Sequence, residues 1–136
     1  MSTRALIHIY EELEDETPLT TIYKHFDGYP TNGVGDTLKE FAMDSIISNG
    51  LPLDPDDNMH NGMGCFAASL IKHLKKTAGD VYIVKPGTAD QFESYVYAIA
   101  PAAVDKTREL GVRSESKLIL SVQNTSTDSS EMLIAG

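Results

Sequence analysis

The chain is poor in cysteine and in positive charge, and it has no tryptophan. Its 136 residues include a single cysteine, Cys65, which excludes an internal disulfide and favours a reducing compartment. No apolar run is long enough to cross a bilayer. The opening apolar stretch, residues 5–10, is too short for the core of a signal peptide and contains His8. We therefore expect a cytoplasmic protein that makes no contact with a membrane.

Negative charge dominates the composition. Eleven Lys and Arg residues stand against 20 Asp and Glu residues, for a formal net charge of −9. Such a chain is repelled by phosphate backbones unless its cations gather on one face. The one dense cationic cluster is Lys72, Lys75 and Lys76, and cations at that place complement the dipole of a helix C-terminus. We therefore expect no nucleic-acid partner.

The hydrophobic pattern predicts strands, then two helices, then strands again. Apolar residues recur at helical spacing over residues 34–48 and 62–76, which predicts the two helices. An acidic turn at residues 11–16 separates the first two strands and predicts an antiparallel hairpin. Residues 101–111 are ambiguous. Strands are predicted at residues 5–10, 20–27, 81–84, 93–100 and 117–122, with a short last one at 132–134.

This order keeps the helices apart from most of the strands, which favours an α+β fold. We predict one domain over residues 1–136, in the order β-β-α-α-β-β-β-β. An antiparallel sheet would carry both helices packed on one face. The predicted core contains Phe41, Phe66, Leu70 and Leu74, where the helices meet the sheet.

The sharpest arrangement of polar side chains lies at the end of the second strand. Tyr23, His25 and Asp27 are spaced two residues apart, so a strand would project all three from one face. A histidine beside a carboxylate can bind a metal ion or act as a general base. Asp36, on the following helix, could approach it. The candidate catalytic residues are therefore His25 and Asp27, and the candidate binding residues are Tyr23, Tyr29 and Asp36.

A structural role for the same residues is favoured over catalysis. Asp27 precedes Gly28 and can bond the amides of the turn, while His25 can be a half-buried group bonded to the main chain. One histidine and one aspartate also fall short of the three or four ligands that a zinc site needs. We therefore predict no bound metal and no cofactor.

Cys65 is a second candidate for chemistry. It lies in the first turn of the second helix, where free amides and the helix dipole lower the pKa of a thiol. His60 stands five residues before it, after Asp56 and Asp57, and these residues could complete a Cys-His-Asp set. Since Cys65 adjoins Phe66 beside the apolar stripe, a small buried side chain is the favoured interpretation.

A Gly-x-Gly sequence, Gly62-Met63-Gly64, precedes the same helix. Such a sequence can cradle a phosphate when it links a strand to a helix. Here no strand is predicted directly before it and no Lys-Ser or Lys-Thr pair follows. No phosphate site is therefore assigned.

Residues 1–7 read Met-Ser-Thr-Arg-Ala-Leu-Ile, and residues 23–30 read Tyr-Lys-His-Phe-Asp-Gly-Tyr-Pro. Over its first forty residues the chain resembles a family of short uncharacterised proteins from phage, prophage and mobile-element genomes. The family opens with Ser-Thr-Arg before a strand and carries a Tyr-x-His-aromatic-Asp-Gly-Tyr-Pro block. The resemblance implies a shared fold and a mobile-element context, and it implies no mechanism. Further matching positions are Gly33, Gly35, Leu38 and the Tyr95-Val96-Tyr97 strand.

Three classes of function follow from these patterns. The leading one is a non-enzymatic binding module of mobile-element type, which recognises a host protein or a small ligand through the surface formed by residues 23–30. The alternative is a divalent-metal-dependent hydrolase or nuclease that uses His25 and Asp27. The third is a structural protein that associates with itself as a symmetric homo-oligomer.

Overall fold

The computed structural model describes residues 3–89, 91–102 and 115–135. Nine strands and two helices lie in these residues. None of the described helices is both long and apolar enough to cross a membrane. In chain order the elements are β1 (Ala5–Ile9), β2 (Thr20–Lys24), α1 (Val34–Asp44), β3 (Ile46–Ser48), β4 (Met59–Asn61), α2 (Gly62–Leu74), β5 (Val81–Val84), β6 (Tyr95–Pro101), β7 (Glu115–Ser116), β8 (Leu118–Asn124) and β9 (Ser129–Ala135).

Six strands form the main sheet, in the order β5-β2-β1-β6-β8-β9. The predicted hairpin is confirmed, since β1 and β2 pair antiparallel across the acidic turn. The prediction of a purely antiparallel sheet is wrong, because β1 and β6 at its centre run parallel. Parallel neighbours need a crossover connection rather than a tight turn. The α+β class is confirmed.

The connection from β5 to β6 crosses the face of the sheet that the helices leave uncovered. The Gly87 N–H donates to the Thr21 hydroxyl at 2.9 Å, and the same hydroxyl contacts His8 Nδ1 at 2.8 Å. Thr21 and Leu6 are fully buried although their side chains point away from the hydrophobic core. The contact of His8 with Thr21 joins the neighbouring strands β1 and β2. A polar bridge therefore ties the crossover to the sheet.

The hydrophobic core lies between the other face of the sheet and both helices. Strand residues at every second position, such as Ile7, Ile22 and Ile99, are fully buried there. Three of the four predicted core residues, Phe66, Leu70 and Leu74, are buried. Phe41 is only partly buried; its ring packs against Phe66 with 5.7 Å between centroids.

The first helix is shorter than predicted. It ends at Asp44 rather than residue 48, and Ile46–Ser48 forms β3 instead. This strand pairs parallel with β4 and antiparallel with β7, so a second, three-stranded sheet replaces the last predicted turn of helix. Asn58 closes the helix end, since its Nδ2 donates to the Asp44 carbonyl at 2.8 Å. The predicted order of elements is wrong here, because β3 and β4 lie between the helices.

The second helix and the later strands follow the prediction more closely. The structure ends α2 at Leu74, two residues before the predicted boundary, and β5 has the predicted bounds. Strands β6 and β8 are each displaced by one or two residues. The ambiguous segment 101–111 lies outside the described residues from residue 103 onward.

Candidate functional site

Four aromatic side chains form a continuous row beside the end of β2 and the start of β5. The row runs Tyr82–Tyr23–His25–Phe26, with ring centroids 6.0, 5.9 and 4.5 Å apart in that order. Tyr23 pairs in register with Leu6 and Tyr82, so its side chain lies on the sheet face opposite the helices. We call these four residues the aromatic row.

Tyr23 and His25 are brought together as their spacing predicts. The Tyr23 hydroxyl lies 2.8 Å from His25 Nδ1, so one of the two groups donates a hydrogen bond to the other. Both side chains are half-buried. The pair orients the imidazole and leaves its other nitrogen without a bond to any described residue.

Asp27 does not complete this arrangement. The strand ends at Lys24, and Asp27 lies in the following turn with a φ of 56°, so the two-residue alternation does not extend to it. Its side chain is exposed, and no hydrogen bond or ion pair joins its carboxylate to His25 or to any other described residue. The two candidate catalytic residues therefore make no direct contact.

A half-buried ion pair anchors the far end of the row. Lys24 Nζ lies 2.5 Å from Asp80 Oδ2 and also donates to the Phe26 carbonyl at 2.7 Å. The other Asp80 oxygen accepts the Phe26 N–H at 2.9 Å. Burial opposes ionisation of Asp80, but the hydrogen bonds from Lys24 and Phe26 outweigh it and lower the pKa of this carboxyl. Phe26 is thus held by its main chain while 50% of its surface stays exposed.

The turn that follows the row has no space for side chains at its glycines. A Cβ on Gly28 would lie 2.9 Å from the Thr3 carbonyl oxygen, and one on Gly33 would lie 2.6 Å from the Asp27 carbonyl oxygen. Gly28 also donates its N–H to Thr3 at 2.9 Å and accepts the buried Tyr97 hydroxyl at 2.7 Å. Burial raises the pKa of Tyr97, so this hydroxyl keeps its proton and donates. Much of the 23–30 block therefore builds a turn.

The same turn satisfies the first amides of α1. Val34 N–H donates to the Asp27 carbonyl at 2.7 Å, and Gly35 N–H donates to the Tyr29 carbonyl at 3.0 Å. The Asp36 carboxylate reaches back to the Asn32 N–H at 2.8 Å, as expected of an acidic residue in the first turn of a helix. Asp36 is therefore engaged in capping and has no described bond to His25.

Tyr29 lies on the other side of the sheet from the aromatic row. It lines a cavity of about 450 Å³ together with Tyr95, which shares its sheet face with the core residue Tyr97. The turn passes beneath β1, where Gly28 is bonded to Thr3, and so separates Tyr29 from Tyr23 and His25. The candidate binding residues thus belong to two different surfaces.

The residues around Cys65 have structural roles. His60 is buried, its Nε2 lies 3.2 Å from the Ser45 hydroxyl, and its ring packs edge-on against Phe66 with 5.4 Å between centroids. Burial lowers the pKa of His60. Cys65 itself is half-buried in the first turn of α2. Among the described residues, no three His, Cys, Asp or Glu side chains are arranged to hold a metal ion.

A second cavity, of about 420 Å³, lies at the start of α2 beside the acidic turn. Gly62 and Met63 line one side of it, and Glu11, Glu12 and Glu14 line another. A phosphate at this helix N-terminus would face those carboxylates. The surroundings of the Gly-x-Gly sequence are therefore unsuited to a phosphate.

Tyr82 is the site residue that the sequence does not indicate. Its predicted strand, β5, is correct, yet only the pairing of β5 with β2 places Tyr82 beside Tyr23. Lys75, just after α2, lies with its Nζ 5.8 Å from the centroid of the Tyr82 ring, within the range of a cation–π contact. The alternation of side chains along β5 could have indicated that Tyr82 points outward. The sequence could not have indicated that Tyr23 is its neighbour.

No family model, curated protein or solved structure matches this chain. The candidate site is therefore defined by its own geometry. The resemblance to the mobile-element family rests on residues 1–7, the 23–30 block and the positions named with them.

Proposed function

We propose that this protein is a non-enzymatic binding module that recognises a partner protein through the aromatic row. The observation that carries the proposal is the contact chain Tyr82–Tyr23–His25–Phe26 on the sheet face that the helices leave uncovered. The two outer rings, Tyr82 and Phe26, are 48% and 50% exposed. Clustered aromatic side chains are enriched at the centres of protein interfaces, because each buries a large rigid surface at a small cost in entropy.

The shape of the row favours a protein over a small ligand. Small-molecule sites are concave and enclose most of the ligand surface. The cavities of about 420 and 450 Å³ are lined by other residues, and none of the four rings contributes to either. A protein surface can bury an open row of this kind.

The charges beside the row favour an acidic partner. Lys72 and Lys76, at the end of α2, are exposed and form no ion pair with any described residue, and Lys75 lies over Tyr82. Exposed charges are screened beyond about 8 Å at physiological salt, so Lys75 beside the Tyr82 ring acts on a bound partner more strongly than the distant net charge does. The expected partner surface carries carboxylates around an apolar or aromatic anchor.

A metal-dependent hydrolase or nuclease is the alternative, and it has less support. It would need the His25 and Asp27 side chains to converge on one ion together with further ligands. Asp27 lies in the turn without a bond to His25, and Asp36 is engaged with the Asn32 amide. That the partner is a host protein of a mobile element follows only from the family resemblance.

Site-specific photo-crosslinking in the native cells tests the proposal. A photoreactive phenylalanine analogue at position 82 should capture a defined partner, whereas the same analogue at Met132, which is 57% exposed on the edge strand β9, should not. The captured protein can be identified by mass spectrometry, purified and titrated against the variants. A crosslink to a second copy of the chain would instead support the self-associating class.

The affinity of the purified pair separates recognition from folding. We expect Tyr82→Ala or Phe26→Ala to weaken binding about tenfold or more, as hot-spot truncations do. Since both side chains are about half exposed, the melting temperature should change little. Met132→Ala is the matched exposed control. Equal capture at positions 82 and 132, or an affinity that survives both aromatic truncations, would contradict the proposal.

A further inference from the structure

The cavity that Tyr29 lines lies between the turn before α1 and the sheet, on the side away from the aromatic row. Its volume is about 450 Å³. Tyr29 and Thr31 form one wall, and Tyr95 on β6 with Asn124 on β8 forms part of the other. This volume falls in the range of roughly 300–1,000 Å³ that is usual for small-molecule sites.

Several polar groups at the cavity have no partner among the described residues. The hydroxyls of Tyr29 and Tyr95 form no hydrogen bond with any described group. Asn124 uses its Oδ1 to accept the Ser126 N–H at 2.9 Å, which leaves its Nδ2 as a donor. The cavity therefore presents hydroxyl and amide groups beside two aromatic rings.

The main chain holds these groups in place before any ligand arrives. The Tyr29 carbonyl accepts the Gly35 N–H at 3.0 Å, and a Cβ on Gly33 would lie 2.9 Å from the Tyr29 Cβ, so the turn is closely packed. Tyr95 is paired with Ala5 on one side and with Asn124 on the other. A site built on such fixed elements loses little entropy when it binds.

The charge of the lining narrows the class of ligand. Glu131 carries the one carboxylate among the described residues that line the cavity, and none of these residues is a Lys, Arg or His. An anion would meet a carboxylate with no cation to offset it. A strongly cationic ligand would find a single exposed carboxylate, and such surface pairs contribute little. A neutral ligand that carries several hydroxyls fits better, because the Glu131 carboxylate accepts its O–H groups and Asn124 Nδ2 donates to its oxygens.

We propose that this cavity binds a small, neutral, polyhydroxylated ligand of the size of a mono- or disaccharide. Its apolar C–H faces pack on the rings of Tyr29 and Tyr95, its oxygens accept from Asn124 Nδ2, and its O–H groups donate to Glu131. This site is independent of the aromatic row, since no residue belongs to both.

Titration of the full chain with a panel of neutral sugars, followed by amide NMR, tests the proposal. The probes are glucose, galactose, mannose, N-acetylglucosamine and their common disaccharides, up to about 20 mM, a range that detects weak binding. Glucose 6-phosphate and glucosamine serve as the anionic and cationic analogues. We expect saturable shifts of the Tyr95, Asn124 and Ser130 amides with at least one neutral sugar, weaker binding of the anionic analogue, and no large gain in affinity for the cationic one.

Variants then locate the site. Tyr29 is 45% exposed and Glu131 is exposed, so Tyr29→Ala and Glu131→Ala should fold and should weaken binding, the tyrosine change by about tenfold. Tyr82→Ala, which removes a similarly exposed ring from the other face, should leave sugar binding unchanged. The proposal is overturned if no neutral sugar binds, if the anionic analogue binds as tightly, if the cationic analogue binds much more tightly, or if Tyr29→Ala has no effect.

Discussion

Two glycines in the first turns of the two helices should respond in opposite ways to the same substitution. Gly35 and Gly64 each lie in the first turn of a helix. A Cβ on Gly64 would meet nothing within 4 Å. A Cβ on Gly35 would collide with the Pro30 main chain and lie 2.7 Å from its carbonyl carbon. We therefore expect Gly64→Ala to stabilise the fold and Gly35→Ala to destabilise it.

The magnitudes follow from the local geometry. Alanine favours a helix over glycine by about 1 kcal/mol, and this gain applies to both positions. At Gly35 the turn must move by several tenths of an ångström or more to make room, and overpacking of this kind costs about 1–3 kcal/mol. Displacing Pro30 also weakens the bond from Gly35 N–H to the Tyr29 carbonyl, which contributes about 0.5–1.5 kcal/mol. The net expectation is a loss of about 1–3 kcal/mol for Gly35→Ala and a gain of up to about 1 kcal/mol for Gly64→Ala.

Urea unfolding followed by circular dichroism measures both free energies of unfolding. The two variants should differ by about 1–4 kcal/mol, with Gly64→Ala as the internal control for helix propensity. If both substitutions stabilise the protein to the same extent, the close packing of the turn on α1 is wrong. In that case, lack of space would not be the reason why this turn contains glycines.

Three further expectations concern the core, the turn and pH. Tyr97→Phe should lower the free energy of unfolding in urea by about 1–3 kcal/mol, because the buried Gly28 carbonyl loses its donor. Tyr95→Phe should leave that free energy nearly unchanged, and equal effects would refute the role of the Tyr97 hydroxyl. Leu70→Ala should cost about 2–5 kcal/mol, while Leu53→Ala, at a fully exposed position, should stay within about 0.5 kcal/mol; a mild Leu70→Ala would mean that the buried face of α2 is wrong. Burial lowers the pKa of His60 below its ordinary value of 6.5, so the folded state binds this proton less readily than the unfolded state. Stability should therefore be complete above pH 6.5 and fall as the pH drops below it, and the fall should be smaller in His60→Gln; pH-independent melts from neutral to mildly acidic solution would contradict this.

The elements that neighbouring residues determine were predicted from the sequence. The apolar stripe of α2 repeats at helical spacing, and its predicted start at Gly62 is confirmed. The short acidic connection between β1 and β2 allows only an antiparallel neighbour, which is also confirmed. In both cases the residues that decide the structure are near neighbours along the chain.

Elements that depend on distant partners were not predicted. Residues 46–48 continue the apolar pattern of α1, and they become a strand because β4 and β7 supply its hydrogen bonds from elsewhere in the chain. The parallel pairing of β1 with β6 likewise depends on the path of the β5–β6 connection over the sheet. No local pattern distinguishes a strand that returns antiparallel from one that arrives by a crossover.

The candidate sites show the same difference between local and distant determinants. The sequence by itself brought Tyr23 and His25 together, because residues two apart at the end of a strand lie close to each other and need no other element. The tertiary structure decided the rest, since Tyr82 reaches Tyr23 only through the pairing of β5 with β2. It also moved Tyr29 to the opposite side, where the tightly packed glycine turn passes beneath β1 and opens a separate cavity. Spacing along a chain determines which side chains share one strand, whereas contacts between strands determine which of them form a surface.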